Sequence, residues 1–389
     1  MNICFLTSRF PFPEIGGDSL RINHVAQYLK SIGHRIVLVS FWGEKTPDIE
    51  AARSLFDEVC MVRWSSVEAI WYSLYGLIRK KPIQVGYYYS PRMLKRIRQL
   101  CQKEDIDLYI PHAMRMTEYV AKLGYEKKTI VEQTDAISKT YLLSKGGKGN
   151  IIKSFIYRIE SKVVPHYEEY MLRTFPKVVY VSPSDVAYLQ DKYPMHRSAV
   201  CHTNGFDLPE KITDMFNPHK ICLMGNMRTL QNQDAALFFT KEVLPLIIKE
   251  EPQTIFYIVG AEPSKQIQEL ASEHVIVTGF VDKVEEEIAD ACFCVAPVRI
   301  AAGIQNKVLV SLGCGVPVIL SSLISQPIPE LKDGVNCFIA DDASNIAKKC
   351  ILLMRDNKLR EAIGGEGREM IRKNYSWDKT LEGYEIINR

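Results

Sequence analysis

The segment Ala296–Leu320, APVRIAAGIQNKVLVSLGCGVPVIL, constrains the fold more than any other stretch of the chain. It reads in order as strand end, glycine turn, helix, glycine break and strand. Cys292–Val298 (CFCVAPV) is an apolar run of the length and character of a buried parallel strand. Gly303 has no Cβ, so the backbone there can turn and come close to a ligand. Ile304, Val308, Leu309 and Leu312 then fall on one side of a helix. Gly313 and Gly315 end that helix, and Val316–Leu320 starts a second buried strand.

A helix that begins just after a parallel strand aims its free N–H groups, and about half a positive charge, at the crevice above the sheet. Here Arg299 and Lys307 add two cations, and Gln305 and Asn306 add amide donors. The residues alone leave two readings open: a pyrophosphate site, or an ordinary βαβ crossover with surface charges.

A chain of 389 residues predicts two domains of ordinary size. Hydrophobic residues make up 47% and charged residues 24%, the balance of a soluble globular protein. No apolar run reaches the roughly 18 to 20 residues that a membrane span requires. The opening NICFLTSRFPF lacks a basic region and a long apolar region, so it reads as a first strand and not as a signal peptide. Ten cysteines are scattered without a C-x-x-C pair. That argues against zinc or a disulfide framework and for a reducing cytosol. Residues 1–200 carry 29 Lys and Arg against 20 Asp and Glu, and the remainder carry 20 against 26. The basic half suits an anionic partner, whether a membrane surface, a lipid phosphate or nucleic acid, unless its charges are simply dispersed.

Taken in order, Asn2–Leu6 is a strand, Gly16-Gly17 a turn, Asp18–Ser31 a helix capped by Asp18 or Ser19, and Arg35–Ser40 a strand. The turn lacks the G-x-G-x-x-G dinucleotide fingerprint, which argues against a dehydrogenase. Residues 51–103 combine aromatics with the run Arg79-Lys80-Lys81. This stretch suits lipid headgroups or a lipid-bearing acceptor, or else a set of core aromatics beside a solvated basic face. Strand Ile106–Pro111 ends at His112, and strand Lys128–Glu132 is followed by Asp135. Strand tips form the functional edge of a parallel sheet. His112 can act there directly or be structural, and Asp135 can bond an acceptor hydroxyl or cap a helix. Pro165 should kink or end an amphipathic helix. Asn204-Gly205 is a turn that tolerates positive φ, and it marks a domain boundary between 196 and 218. Strands Ile221–Gly225 and Ile255–Gly260 follow.

The pattern R-x-x-x-GIQNKVL-x-x-x-x-x-GVPVI (Arg299 to Ile319) resembles the donor-phosphate segment of nucleotide-sugar glycosyltransferases of the GT-B fold. The likeness is nearest to glycosyltransferase family 4, the glycosyl transferases group 1. Gly16-Gly17-Asp18 with Arg21, the linker Asn204-Gly205-Phe206-Asp207, the stretch Pro329–Asp342 and the closing NYSWDKTLEGYEII extend the likeness over nearly the whole chain. The resemblance implies two Rossmann-like doubly wound α/β domains facing across a cleft. Residues 1–200, joined by a crossing helix 374–389, would bind the acceptor, and residues 201–373 the donor.

The resemblance also implies roles. His112, Asp135, Arg299 and Lys307 would be catalytic. Gly16, Gly17, Asp18, Arg21, Asn226, Arg228, Phe280, Val281, Gly303, Ile304, Gln305 and Asn306 would hold the donor. The implied activity is a retaining, metal-independent, hexosyltransferase-like transfer from a nucleotide-diphosphate sugar to a hydroxyl of a glycan or lipid-linked acceptor. It needs no cofactor and no nucleic acid, because cations and helix N–H groups can stabilise the diphosphate leaving group by themselves. The expected setting is bacterial surface polysaccharide synthesis (O-antigen, capsule or exopolysaccharide), in the cytoplasm and peripheral to the anionic inner face of the membrane. One departure stands out. The family carries two Glu eight residues apart where this chain has Ala302 and Val310, and valine cannot accept a ribose hydrogen bond. The alternative is therefore a non-catalytic GT-B scaffold or degenerate partner subunit.

Overall fold

The computed structural model describes residues 1–14, 17–43, 47–143, 151–209, 216–300 and 305–387. The chain divides into two units, residues 1–204 with 381–389, and residues 205–380. Each is built on parallel strands whose central members are apolar runs buried on both faces, as sheets covered by crossover helices must be.

In the first unit, strands β1 (Asn2–Thr7), β2 (Arg35–Trp42), β3 (Glu58–Arg63) and β4 (Leu108–Pro111) lie in the order β3-β2-β1-β4. Strands β5 (Ile130–Thr134), β6 (Lys177–Tyr180) and β7 (Ala199–Cys201) follow in the order β5-β6-β7. Parallel bridges Tyr109–Thr129 and His112–Glu132 join β4 to β5. The strand order reverses between β1 and β4, and ligands of such sheets sit outside the carboxyl ends of the strands at that point.

The second unit repeats the scheme. Strands β8 (Asn217–Met224), β9 (Ile255–Val259), β10 (Val275–Gly279), β11 (Ala291–Ala296), β12 (Val318–Leu320) and β13 (Phe338–Ile339) run in the order β10-β9-β8-β11-β12-β13. The reversal lies between β8 and β11. Close approaches that leave no room for a Cβ stitch the strand tips together. A Cβ on Gly260 (φ +145°) would lie 1.9 Å from the Gly225 carbonyl oxygen, and one on Gly225 (φ +151°) 2.4 Å from the Asn232 amide. Among the described residues no helix is long and apolar enough to cross a membrane.

Three local features refine these expectations. Of the two outcomes expected at Pro165, an end does not occur: the helix Ile151–Thr174 continues through it, with Val164, Tyr167, Met171 and Leu172 buried around it. Gly205 does not have a positive φ; its absent Cβ admits Trp377, whose Cα would otherwise lie 2.4 Å away. The closing segment is helical only over Trp377–Thr380. Beyond it Gly383 takes φ +70°, and Lys177 Nζ donates to the Gly383 and Tyr384 carbonyls at 3.0 and 2.7 Å, so the chain is held as turns.

Candidate functional site

In the second unit the helix Asn306–Gly313 starts beside the sheet's reversal point, and its N-cap Gln305 makes no side-chain capping bond. Lys307 therefore sits in the first turn, at the positive end of the helix dipole, where a cation is disfavoured. It is also largely withdrawn from water, and that desolvation pushes its pKa down to about 8. Its ammonium donates to Asn232 Oδ1, a neutral amide on the helix Leu230–Phe238. Among the described residues no carboxylate pairs with it. A half-buried cation held by an amide at a helix amino end is arranged to receive an anion.

Asn232 is fixed in turn. Its Nδ2 donates to the Asn226 carbonyl at 2.9 Å, and Asn226 Oδ1 accepts the Arg228 N–H at 2.9 Å in a side-chain turn. The loop after β8 is thus folded around Asn226 and delivers Asn232 to Lys307. Gln231 Nε2 lies 3.4 Å from Gln305 Oε1, a further link between the two helices.

Arg299 is brought to the same pair of helices, but its guanidinium is engaged. It makes a bidentate pair with Asp234, at 3.0 and 2.7 Å, and lies 4.5 Å over the Phe238 ring. Arg228 is exposed and pairs with Glu262 at 3.2 Å. Phe280, just past β10, is 73% exposed, while Val281 packs against the core. Asn306 is exposed at the helix start. Val310 packs on the core from the same helix. Gly303, Ile304 and Gly16 lie outside the described residues.

In the first unit a cavity of about 380 Å³ opens at the carboxyl ends of β1, β2 and β4, lined among others by Phe10, Trp42, Trp64, Tyr88, Asp18 and His112. His112 is 2% exposed, and its Nε2 is buried without a hydrogen-bond partner. Burial, opposed by Asp18, lowers its pKa, so the ring is neutral near pH 7. An unpaired buried nitrogen costs free energy that a bound hydroxyl would recover. The residue after it, Ala113, takes φ +62°, and Thr134 at the tip of β5 takes φ +72°. Such strained non-glycine backbone gathers at functional edges.

Asp18 stands in the first turn of the helix Gly17–Ser31 and pairs with Arg115 at 3.1 Å. Arg115 in turn lies 5.5 Å over the Tyr88 ring, and Arg9 Nε donates to Tyr88 Oη at 3.3 Å. Arg21 is placed differently from the sequence expectation. It is fully buried, paired with Glu132 at 3.3 Å and donating to the Thr203 carbonyl at 2.9 Å, so it braces the unit internally. Asp135 is exposed past β5; partial desolvation, with Asp185 and Asp18 nearby, raises its pKa. The sequence reading missed Asp234, Arg115 and the cavity wall of Trp42 and Trp64. Trp42 lies two residues past the expected strand Arg35–Ser40, and Trp64 falls in the aromatic stretch 51–103; neither position alone announces a shared wall.

Comparison with known proteins agrees with this architecture. Residues 218–356 match the family model described as glycosyl transferases group 1. A 44.6 kDa protein of the cps region of Klebsiella pneumoniae, itself uncharacterised, is 21% identical over 406 residues, spanning 98% of each chain. The sucrose-phosphate synthase of Thermosynechococcus elongatus superposes with a TM-score of 0.61 at 15% identity, covering 99% of this chain and 97% of its own. Anabaena HepE, solved in complex with UDP, gives 0.61 at 14% identity, over 99% and 98%. The fold is GT-B.

Proposed function

We propose, from the match of residues 218–356 to the glycosyl transferases group 1 model, that the protein moves a sugar from a nucleotide-diphosphate sugar to a hydroxyl of a glycan or lipid-linked acceptor. The observation that carries the reading is Lys307, desolvated at a helix amino end and held by Asn232, with no carboxylate partner among the described residues. A diphosphate leaving group gains negative charge as its bond to the sugar breaks. Lys307 and the free N–H groups of its helix stabilise that charge in place, without a metal. Arg299 would join by exchanging Asp234 for phosphate oxygen. The sugar would be transferred with retention, and neutral His112 would hold a hydroxyl through its unpaired Nε2. The cps-region relative supports surface polysaccharide as the product, made at an anionic membrane face. That HepE was solved with UDP supports a uridine donor as the first to try.

Thermal unfolding with UDP, GDP and TDP, followed by mass detection of nucleotide-sugar turnover, tests the reading. Stabilisation by one nucleotide that Lys307→Ala abolishes is expected. A second reading, a GT-B scaffold without turnover, is favoured by Val310, which offers the donor ribose no acceptor. Nucleotide binding without turnover on any donor and acceptor would select it.

A further inference from the structure

The helix Ser66–Ile78 hides its small residues and displays its large ones. Ala69 and Gly76 are buried, whereas Val67, Ile70, Trp71, Leu74, Tyr75 and Ile78 are 77, 63, 69, 57, 47 and 81% exposed. Their spacing of three and four places them on one face. The helix cannot roll that face inward. Gly86 of the helix Ile83–Tyr87 meets its backbone so closely that a Cβ there would lie 2.3 Å from the Tyr72 carbonyl oxygen, and Gly76 faces Gly86 across the same contact. A contiguous apolar strip of this kind is costly in water and calls for a cover.

The ends of the strip say what the cover is. At the carboxyl end stand Arg79 and Lys80, both exposed, with Arg79 5.1 Å over the Tyr75 ring. At the amino end Arg63 and Arg92 line a hollow with Ser65 and Ser66, and Arg92 also pairs with Glu68 at 3.1 Å. The complement is an apolar layer with a negatively charged rim. A second copy fits poorly, since antiparallel pairing would set its cations against these.

We propose that the Ser66–Ile78 helix docks on an anionic lipid surface, lying in its plane with the Trp71 face among the acyl chains and Arg79 and Lys80 at the headgroups. The hollow at its amino end shares Gly43 and Trp64 with the His112 cavity. A lipid-linked acceptor would therefore enter from the headgroup layer; this last step rests on the transfer reading above, whereas docking itself does not.

The test is co-sedimentation, without donor, with vesicles of phosphatidylcholine alone and of phosphatidylcholine mixed with phosphatidylglycerol. Binding to the mixed vesicles, weakened by salt and reduced roughly tenfold or more in the double variant Trp71→Ser/Ile78→Ser and in Arg79→Gln/Lys80→Gln, is expected. Brominated lipids should quench tryptophan emission in the parent and not in Trp71→Phe. All four positions are exposed, and an unchanged melting curve confirms that the variants fold. Equal binding to both vesicle types, no binding to either, or a concentration-dependent dimer that Trp71→Ser dissolves would each overturn the proposal. Vesicle binding without any nucleotide binding would keep the docking and sink the transfer reading; the reverse result would do the opposite.

Discussion

The Lys307 ammonium is held by the Asn232 carboxamide, and by no carboxylate among the described residues. A neutral partner positions the cation without neutralising it, so its charge stays available to a ligand. Arg299 makes the contrast, because Asp234 already answers its charge.

Replacing Lys307 by Met should therefore reduce turnover on the preferred donor by about a hundred- to a thousandfold, the usual cost of one preorganised charge donor. Folding should not suffer, since removing a desolvated cation that has no carboxylate partner among the described residues relieves a penalty. Steady-state kinetics beside a melting curve would show both; a less stable variant would contradict the account.

The pKa of about 8 sets a pH dependence. The folded value lies below the unfolded one, so the native state binds fewer protons between them, and stability from this group rises with pH from about 8 upward. Donor binding has the opposite sign, because the diphosphate needs the protonated amine. Nucleotide affinity should be level below about pH 8 and fall by up to about tenfold per pH unit above it, and Lys307→Met should flatten that profile. Calorimetric titration across the window checks the sign.

His112→Phe should cost activity without costing stability. The ring nitrogen it removes is buried and unpaired, so its loss leaves no broken bond. A drop in turnover of about a hundredfold or more is expected if the nitrogen holds a reacting hydroxyl. Parallel thermal scans and initial rates would reveal a merely structural histidine by an unaltered rate.

Arg21 and Glu132 make the reverse prediction. Arg21→Met strands the Glu132 carboxylate in the interior and should destabilise the first unit by about 3–5 kcal/mol. The double variant Arg21→Met/Glu132→Leu should recover most of that loss, although Tyr384 Oη, which donates to Glu132 at 2.7 Å, is then left without its acceptor. Urea unfolding of the three variants measures the difference.

The sheets were legible because buried parallel strands are written as short apolar runs, and Cys292–Val298 or Ile255–Gly260 admit few other readings. Lys307 stood out from its place after a glycine turn, and the structure puts it in the first turn of the helix Asn306–Gly313. What escaped the sequence was set by distant partners. Nothing near Arg21 announces Glu132, and nothing near Arg299 announces Asp234, so both arginines read as free cations. In the Ser66–Ile78 helix the apolar period is plain, but direction is not. Only the Gly76–Gly86 contact determines that the large side chains face outward.

Gly225 and Gly260 touch backbone to backbone at the tips of β8 and β9. The floor of that edge is consequently closed to chemical variation, since even one methyl group would push neighbouring strands apart. Room for change lies at the rim, around exposed Phe280, where a new side chain would displace only solvent.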